Sequence, residues 1–258
     1  MTSSTRDWFR KTTWSADDER DFRAHLKRAR VDRRPQYLRI QAAHLLENGL
    51  PEPALVLLDE FLAAPDDLFL PLGHSLRAQA LTDVGRLDDA LAAYRGAMDA
   101  QRRRPNVQSY AALEFAELIV VTQRRALFTE VLQLLDELHT DDPFPAIQYR
   151  EAAVRAQIAQ AVGDRATART EARRALRAAD AAKAPFARHP DVGLVRRVDP
   201  EVHAKLQAMC AAEHALEAAG RSGEKNCVPS PAGSTGGSVP LRPPALRPQL
   251  KRDPLGAG

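Results

Sequence analysis

The chain has 258 residues, 44% of them hydrophobic and 28% charged, a soluble composition with room for one large domain or two small ones. No apolar run reaches the roughly 18 residues of a membrane span, and Met1–Trp14 lacks the apolar stretch of a secretory signal. The two cysteines, Cys210 and Cys227, are too few for a disulfide framework and fit a reducing cytoplasm.

Residues 1–34 read as a lead-in carrying Trp8 and Phe9, followed by a capping helix. Ser15 stands as an N-cap, with Asp17, Asp18 and Glu19 in the first turn, where acids complement the helix dipole. Phe22, Leu26 and Ala29 then recur at helical spacing, which predicts a helix near 16–30. Its other faces are charged, as suits the polar outer side of a terminal repeat. Pro35 opens the next helix, where its missing N–H is harmless. Leu38, Ala42 and Leu45 form the inner stripe and Gly49 ends it. Pro51 and Pro53 start the partner helix, with Leu55, Leu58 and Leu62 facing its neighbours, and Pro65 stops it.

The second pair is predicted at 71–84 and 87–101, with Ala78 and Leu81 against Ala90, Leu91, Tyr94 and Ala97; Pro105 closes it. The third, at 107–123 and 126–139, rests on Phe115, Ile119, Val131, Leu132, Leu135 and Leu138, and Pro143 and Pro145 mark the break after it. The fourth, at 146–162 and 165–182, packs the small residues Ala156, Ala159, Ala168, Ala172 and Ala175, so its two backbones should approach closely. After a loop at 184–198, Asp199-Pro200-Glu201 supplies an N-cap, a first-turn proline and a first-turn acid. Val202, Leu206, Met209 and Leu216 share a face and Gly220 reads as the stop of a capping helix at 200–219. The divisions are therefore a cap at 1–34, a repeat region at 35–183, a loop and second cap at 184–220, and a tail at 221–258.

That tail holds seven of the 18 prolines and no aromatic residue, a composition unable to offset its ordering entropy and expected to be disordered. It carries six basic and two acidic side chains, a net +4, which leaves −1 of the chain's +3 for everything before it. The basicity belongs to the tail, and the body lacks the electrostatic footprint of a nucleic-acid binder. Arginine outnumbers lysine 31 to 6, the bias of a high-GC, bacterial coding sequence.

A beat runs through the middle of the chain. Gly49 is followed five residues later by Ala54-Leu55, Gly85 by Ala90-Leu91 and Gly163 by Ala168, with Val131-Leu132 keeping time without a glycine. Ala54, Ala90, Val131 and Ala168 lie 36, 41 and 37 residues apart, a period that means stacked helical hairpins. Ala42 and Ala78 in first helices, Gly49 and Gly85 at turns, Ala54 and Ala90 early in second helices, and Tyr94 with Ala97 beyond them resemble the tetratricopeptide repeat family. The similarity spans about residues 36–182 and is closest from Arg77 to Met98. Leu38 and His74 replace the usual early aromatic, and Ala126 stands where the third turn glycine is expected.

The resemblance implies an all-α, right-handed superhelical stack of about four helix pairs with a capping helix at each end. It also implies a concave groove, lined by the first helices, that binds a protein or peptide. Its inward positions map to Arg39, Glu47, Gln79, Asp83, Glu117, Arg124, Arg150 and Gln157, a mixture of signs suited to a polar partner. No cofactor, metal or membrane contact is implied.

Other constellations carry less chemistry. Gly73-His74-Ser75-Leu76-Arg77 begins like a nucleophile elbow, but Arg77 replaces its final glycine and no strand precedes it. His139, Asp141 and Asp142 read as a polar helix end rather than a metal site, and no HExxH or Cys–His spacing occurs. Pro240-Leu-Arg-Pro243-Pro244 has a polyproline spacing that a proline-rich tail produces by chance. Arg102, Arg103 and Arg104 complement a helix end. Arg165, Arg169, Arg173 and Arg177 recur every four residues as one stripe, either a solvated face or an anion-holding ridge. The expectation is a non-enzymatic cytoplasmic scaffold or adaptor. The alternative is an RNA-associated or regulatory factor that uses the arginine stripe and the basic tail.

Overall fold

The computed structural model describes residues 7–63, 68–137, 142–183, 186, 188–189 and 191–222, the last eleven by their backbone alone. The expectations for Pro65, Leu138, His139, Asp141, the Leu216 side chain, Cys227 and the tail lie outside what is described. Among the described residues there are ten α-helices and no strand, so the fold is all-α. They fall into two compact units, one ending at Ala111 and the other beginning at Ala112.

The first unit holds α1 (Ala16–Arg28), α2 (Arg34–Glu47), α3 (Pro51–Leu62), α4 (Leu70–Asp83) and α5 (Leu87–Arg103). Ser15 caps α1 with a reciprocal box: its hydroxyl accepts from the Asp18 amide at 3.1 Å and Asp18 Oδ2 accepts from the Ser15 amide at 2.9 Å. Pro35 and Pro51 occupy first turns as expected. Phe22 and Leu26 of α1 join Leu38, Ala42 and Leu45 of α2 and Ala54, Leu57, Leu58 and Phe61 of α3 in one core. Trp8, Phe9 and Trp14 pack against it from the lead-in. Helix α2 pairs with α3 and α4 with α5, while α4 also meets α3 and α2. The α3–α4 contact is close because Gly73 faces Phe61; a Cβ at residue 73 would run into that ring.

The second unit holds α6 (Ala111–Val121, whose first residue closes the other unit), α7 (Phe128–Glu137), α8 (Pro145–Val162), α9 (Arg165–Ala179) and α10 (Pro200–Ser222). Helices α8 and α9 pair, and α10 lies against both. Ala152, Ala153, Ala156, Ala172, Ala175 and Ala178 are buried with Tyr149 and Leu206. The expected alanine crossing is thus formed. Asp199 caps α10, its carboxylate accepting from the Glu201 and Val202 amides at 2.8 and 3.1 Å. Glu151, buried on α8, accepts from Arg155 Nε at 2.9 Å and meets Arg174 of α9 at 3.4 Å, while Arg155 also reaches Asp136 of α7 at 2.8 Å.

Four turns, two in each unit, close in one way. The amides of Leu50, Arg86, Arg124 and Asp164 donate to the carbonyls of Leu45, Leu81, Ile119 and Ala159, five residues back, at 2.8–3.1 Å. This bond requires a left-handed residue before the donor, supplied by Gly49 (φ 72°), Gly85 (78°), Gln123 (54°) and Gly163 (87°). The third turn therefore sits at Gln123, not at Ala126. Five residues on stands Phe128, buried, so the beat is Ala54, Ala90, Phe128 and Ala168, with steps of 36, 38 and 40.

Helix boundaries also differ from expectation, and α9 stops at Ala179 rather than at 182. Helix α6 starts at Ala111 instead of 107, because Gln101 Oε1 accepts from the Ser109 amide and hydroxyl at 2.9 and 2.7 Å and holds the approach non-helical. Helix α7 begins at Phe128, after a single 3-10 turn at Arg125–Leu127. Helix α10 continues through Gly220 to Ser222; an alanine-rich helix absorbs one interior glycine for about 1 kcal/mol.

Candidate partner-binding surface

The proposed groove residues divide between the two units. In the first, Arg39 of α2 is half-buried with its guanidinium 4.9 Å from the centre of the Phe69 ring, a cation–π geometry. Glu47 is exposed at the end of the same helix, 3.3 Å from His44 Nδ1. On α4, Gln79 is half-buried and Asp83 exposed. Because α2 and α4 touch, these side chains belong to neighbouring first helices.

In the second unit the structure brings Glu117 of α6 and Arg150 of α8 together. Arg150 Nε and Nη2 donate to the two Glu117 oxygens, each at 2.6 Å, a bidentate pair with little exposure (12% for the Arg150 side chain, 30% for Glu117). The pair joins two first helices through both Glu117 oxygens. Gln157, two turns further along the same side of α8, donates to the Ala153 carbonyl at 3.1 Å. Arg124 is half-buried in the turn after α6, its amide closing that turn. Tyr149, next to Arg150, is buried against α10, and its hydroxyl has no hydrogen-bond partner among the described residues. Burial, with the Asp199 and Glu117 carboxylates, pushes this phenol up to about 12.

Along α9, Arg165, Arg173 and Arg177 are exposed and Arg169 is half-buried. Arg174, beside them, turns instead toward Glu171 and the buried Glu151. The stripe is an arginine ridge on one helix, not a cleft.

Ser75, the would-be elbow nucleophile, is buried inside α4, and its neighbour His74 packs over α5, where a Cβ on Gly96 would lie 3.2 Å from His74 Nδ1. Burial, reinforced by Arg77 and Arg103, lowers the His74 pKa. Among the described residues no cluster of three metal-ligating side chains forms, and no helix is long and apolar enough to cross a membrane.

Buried polar positions escaped the reading of the sequence, among them Gln41, Ser109, Glu114 and Glu151. Gln41, fully buried on α2, interrupts the apolar series Leu38, Ala42, Leu45 at a core-facing step, a signal that was legible. Glu151 lies in a helix buried on nearly every side, where periodicity singles out no residue. No protein-family model, curated protein or solved structure matches the chain.

Proposed function

We propose that this chain is a cytoplasmic, non-enzymatic adaptor of the tetratricopeptide type, a right-handed stack of four helix pairs that binds a protein or peptide on the face of its first helices. The carrying observation is the contact between first helices, α2 with α4 and α8 with the capping α10, joined by the Glu117–Arg150 bridge from α6 to α8. Second helices meet the helix that opens the next pair or cap, α3 meeting α4, α7 meeting α8 and α9 meeting α10. Repetition of one contact scheme and one turn closure is what a repeat architecture requires. A layer of adjacent first helices presents polar side chains of both signs, among them the exposed Glu47 and Asp83. Such a surface suits a polar partner held by complementary charges rather than by a large apolar patch.

The test is capture of partners from native lysate by the full chain, with and without nuclease, beside a Glu47→Arg/Asp83→Arg variant shown to keep its helical signal. One stoichiometric protein that survives nuclease and is lost on charge reversal is the expected result. Capture that the variant retains would reject the groove. Recovery of RNA, or of proteins that vanish with nuclease, would transfer the function to the α9 arginine ridge.

A further inference from the structure

The lead-in is bound to the first unit as a peptide ligand is bound. Gln41 reads its main chain at two points: the Lys11 amide donates to Gln41 Oε1 at 2.9 Å and Gln41 Nε2 donates to the Lys11 carbonyl at 2.8 Å. The Lys11 ammonium is held by Asp21 at 2.9 Å and Asp18 at 3.4 Å, both on α1. Upstream, the rings of Trp8 and Phe9 each lie 4.8 Å from that of Tyr37, and Trp8 also stacks on His25 at 5.3 Å. An apolar residue would fill position 41; what the amide adds is recognition of the Lys11 main chain, whatever side chain that residue carries. The aromatic pair and the ammonium add the sequence preference.

We infer that the α1–α2 face is a recognition site for a peptide that turns at an aromatic pair, as Asp7–Arg10 does through the 2.9 Å bond from the Arg10 amide to the Asp7 carbonyl, and that carries lysine one residue after the pair; Trp8–Lys11 occupies it in cis. This site does not rest on the groove reading, since Gln41 lies two residues from Arg39 and so on the opposite side of α2. The attached segment competes at the high effective concentration of an intramolecular ligand, so a partner carrying the same pattern binds when the segment is displaced.

The probe is a fluorescein-labelled octapeptide copying residues 7–14, titrated by anisotropy into the full chain and into full-length Phe9→Ser/Lys11→Glu, whose own segment is weakened. The variant should bind the peptide about tenfold or more tightly than the unaltered chain, and adding Gln41→Leu should abolish the gain. A variant that keeps its helical signal yet shows no gain, or a gain that survives Gln41→Leu, overturns the inference. Should the variant not fold, native-state hydrogen exchange in the unaltered chain decides. A Lys11 amide exchanging about tenfold or more faster than that of Ala42 on α2 means the segment opens on its own. Equal rates make it part of the core and refute the site.

Discussion

Gln123 does the work of a glycine without its freedom. Its φ of 54° places an L side chain in the left-handed region, at a cost of about 1 kcal/mol, and its one side-chain return is a hydrogen bond to the Val120 carbonyl at 2.8 Å. Gln123→Gly removes that strain at the price of a more flexible unfolded chain, so a gain of about 0.5–1 kcal/mol is expected in denaturant unfolding; a loss would mean the bond to Val120 outweighs the strain. The orphaned Tyr149 hydroxyl predicts in the same direction. Tyr149→Phe removes a buried donor without a partner and should leave stability equal or higher by about 1 kcal/mol, whereas a clear loss would reveal a bridging group. Acid acts on His74, whose folded pKa lies below the 6.5 of the free side chain because of burial and of Arg77 and Arg103. The unfolded chain then binds more protons just below pH 6.5, so this contribution is present above that pH and lost as pH falls toward the folded value. His74→Gln should flatten the decline of Tm between pH 7 and 5, and an unchanged slope would assign the decline to other groups. The three glycine turns were legible because glycine advertises φ above zero. Gln123 was not, because nothing in a glutamine announces it.

At the scale of the element, the close crossing of α3 and α4 depends on the missing side chain of Gly73. Alanine in a helix interior is worth up to about 1 kcal/mol over glycine, but a methyl group there meets the Phe61 ring, and overpacking a core costs about 1–3 kcal/mol. The clash wins, so Gly73→Ala should destabilise by about 1–2 kcal/mol in denaturant unfolding, with partial recovery on adding Phe61→Leu. Stabilisation by Gly73→Ala alone would show that the ring swings aside freely. Helix identity was legible throughout the described pairs, because periodic apolar residues, first-turn prolines and caps such as Ser15 and Asp199 are local signals. The start of α6 was not. It depends on Gln101 reaching across the turn to Ser109, a side-chain contact between separate elements that no periodic pattern encodes. The groove positions were legible as helix faces, yet the pairing of Glu117 with Arg150 is a matter of how α6 and α8 neighbour each other.

For the molecule as a whole, the glycine-marked beats were readable because helix pairs bury apolar faces on their neighbours within each unit, α3 on α4 in the first and α9 on α10 in the second, which leaves a similar pattern on each pair. The third beat, at Phe128, was not, because no glycine marks its turn. Where contacts are that local, stability is approximately a sum of element and nearest-neighbour terms. Both tryptophans, Trp8 and Trp14, lie in the first unit, so tryptophan fluorescence follows that unit while far-UV ellipticity follows every helix. Glu151, in the second unit, is buried between Arg155 and Arg174; Glu151→Ala leaves those guanidinium groups short of a counter-charge and should cost about 3 kcal/mol. The expected consequence is a lower ellipticity midpoint in thermal melting, with the fluorescence midpoint moved much less. Gly73→Ala, in the first unit, should move the fluorescence midpoint first. Equal shifts of both probes in both variants would show that the chain melts as one cooperative block, and that locality of contact does not here become locality of stability.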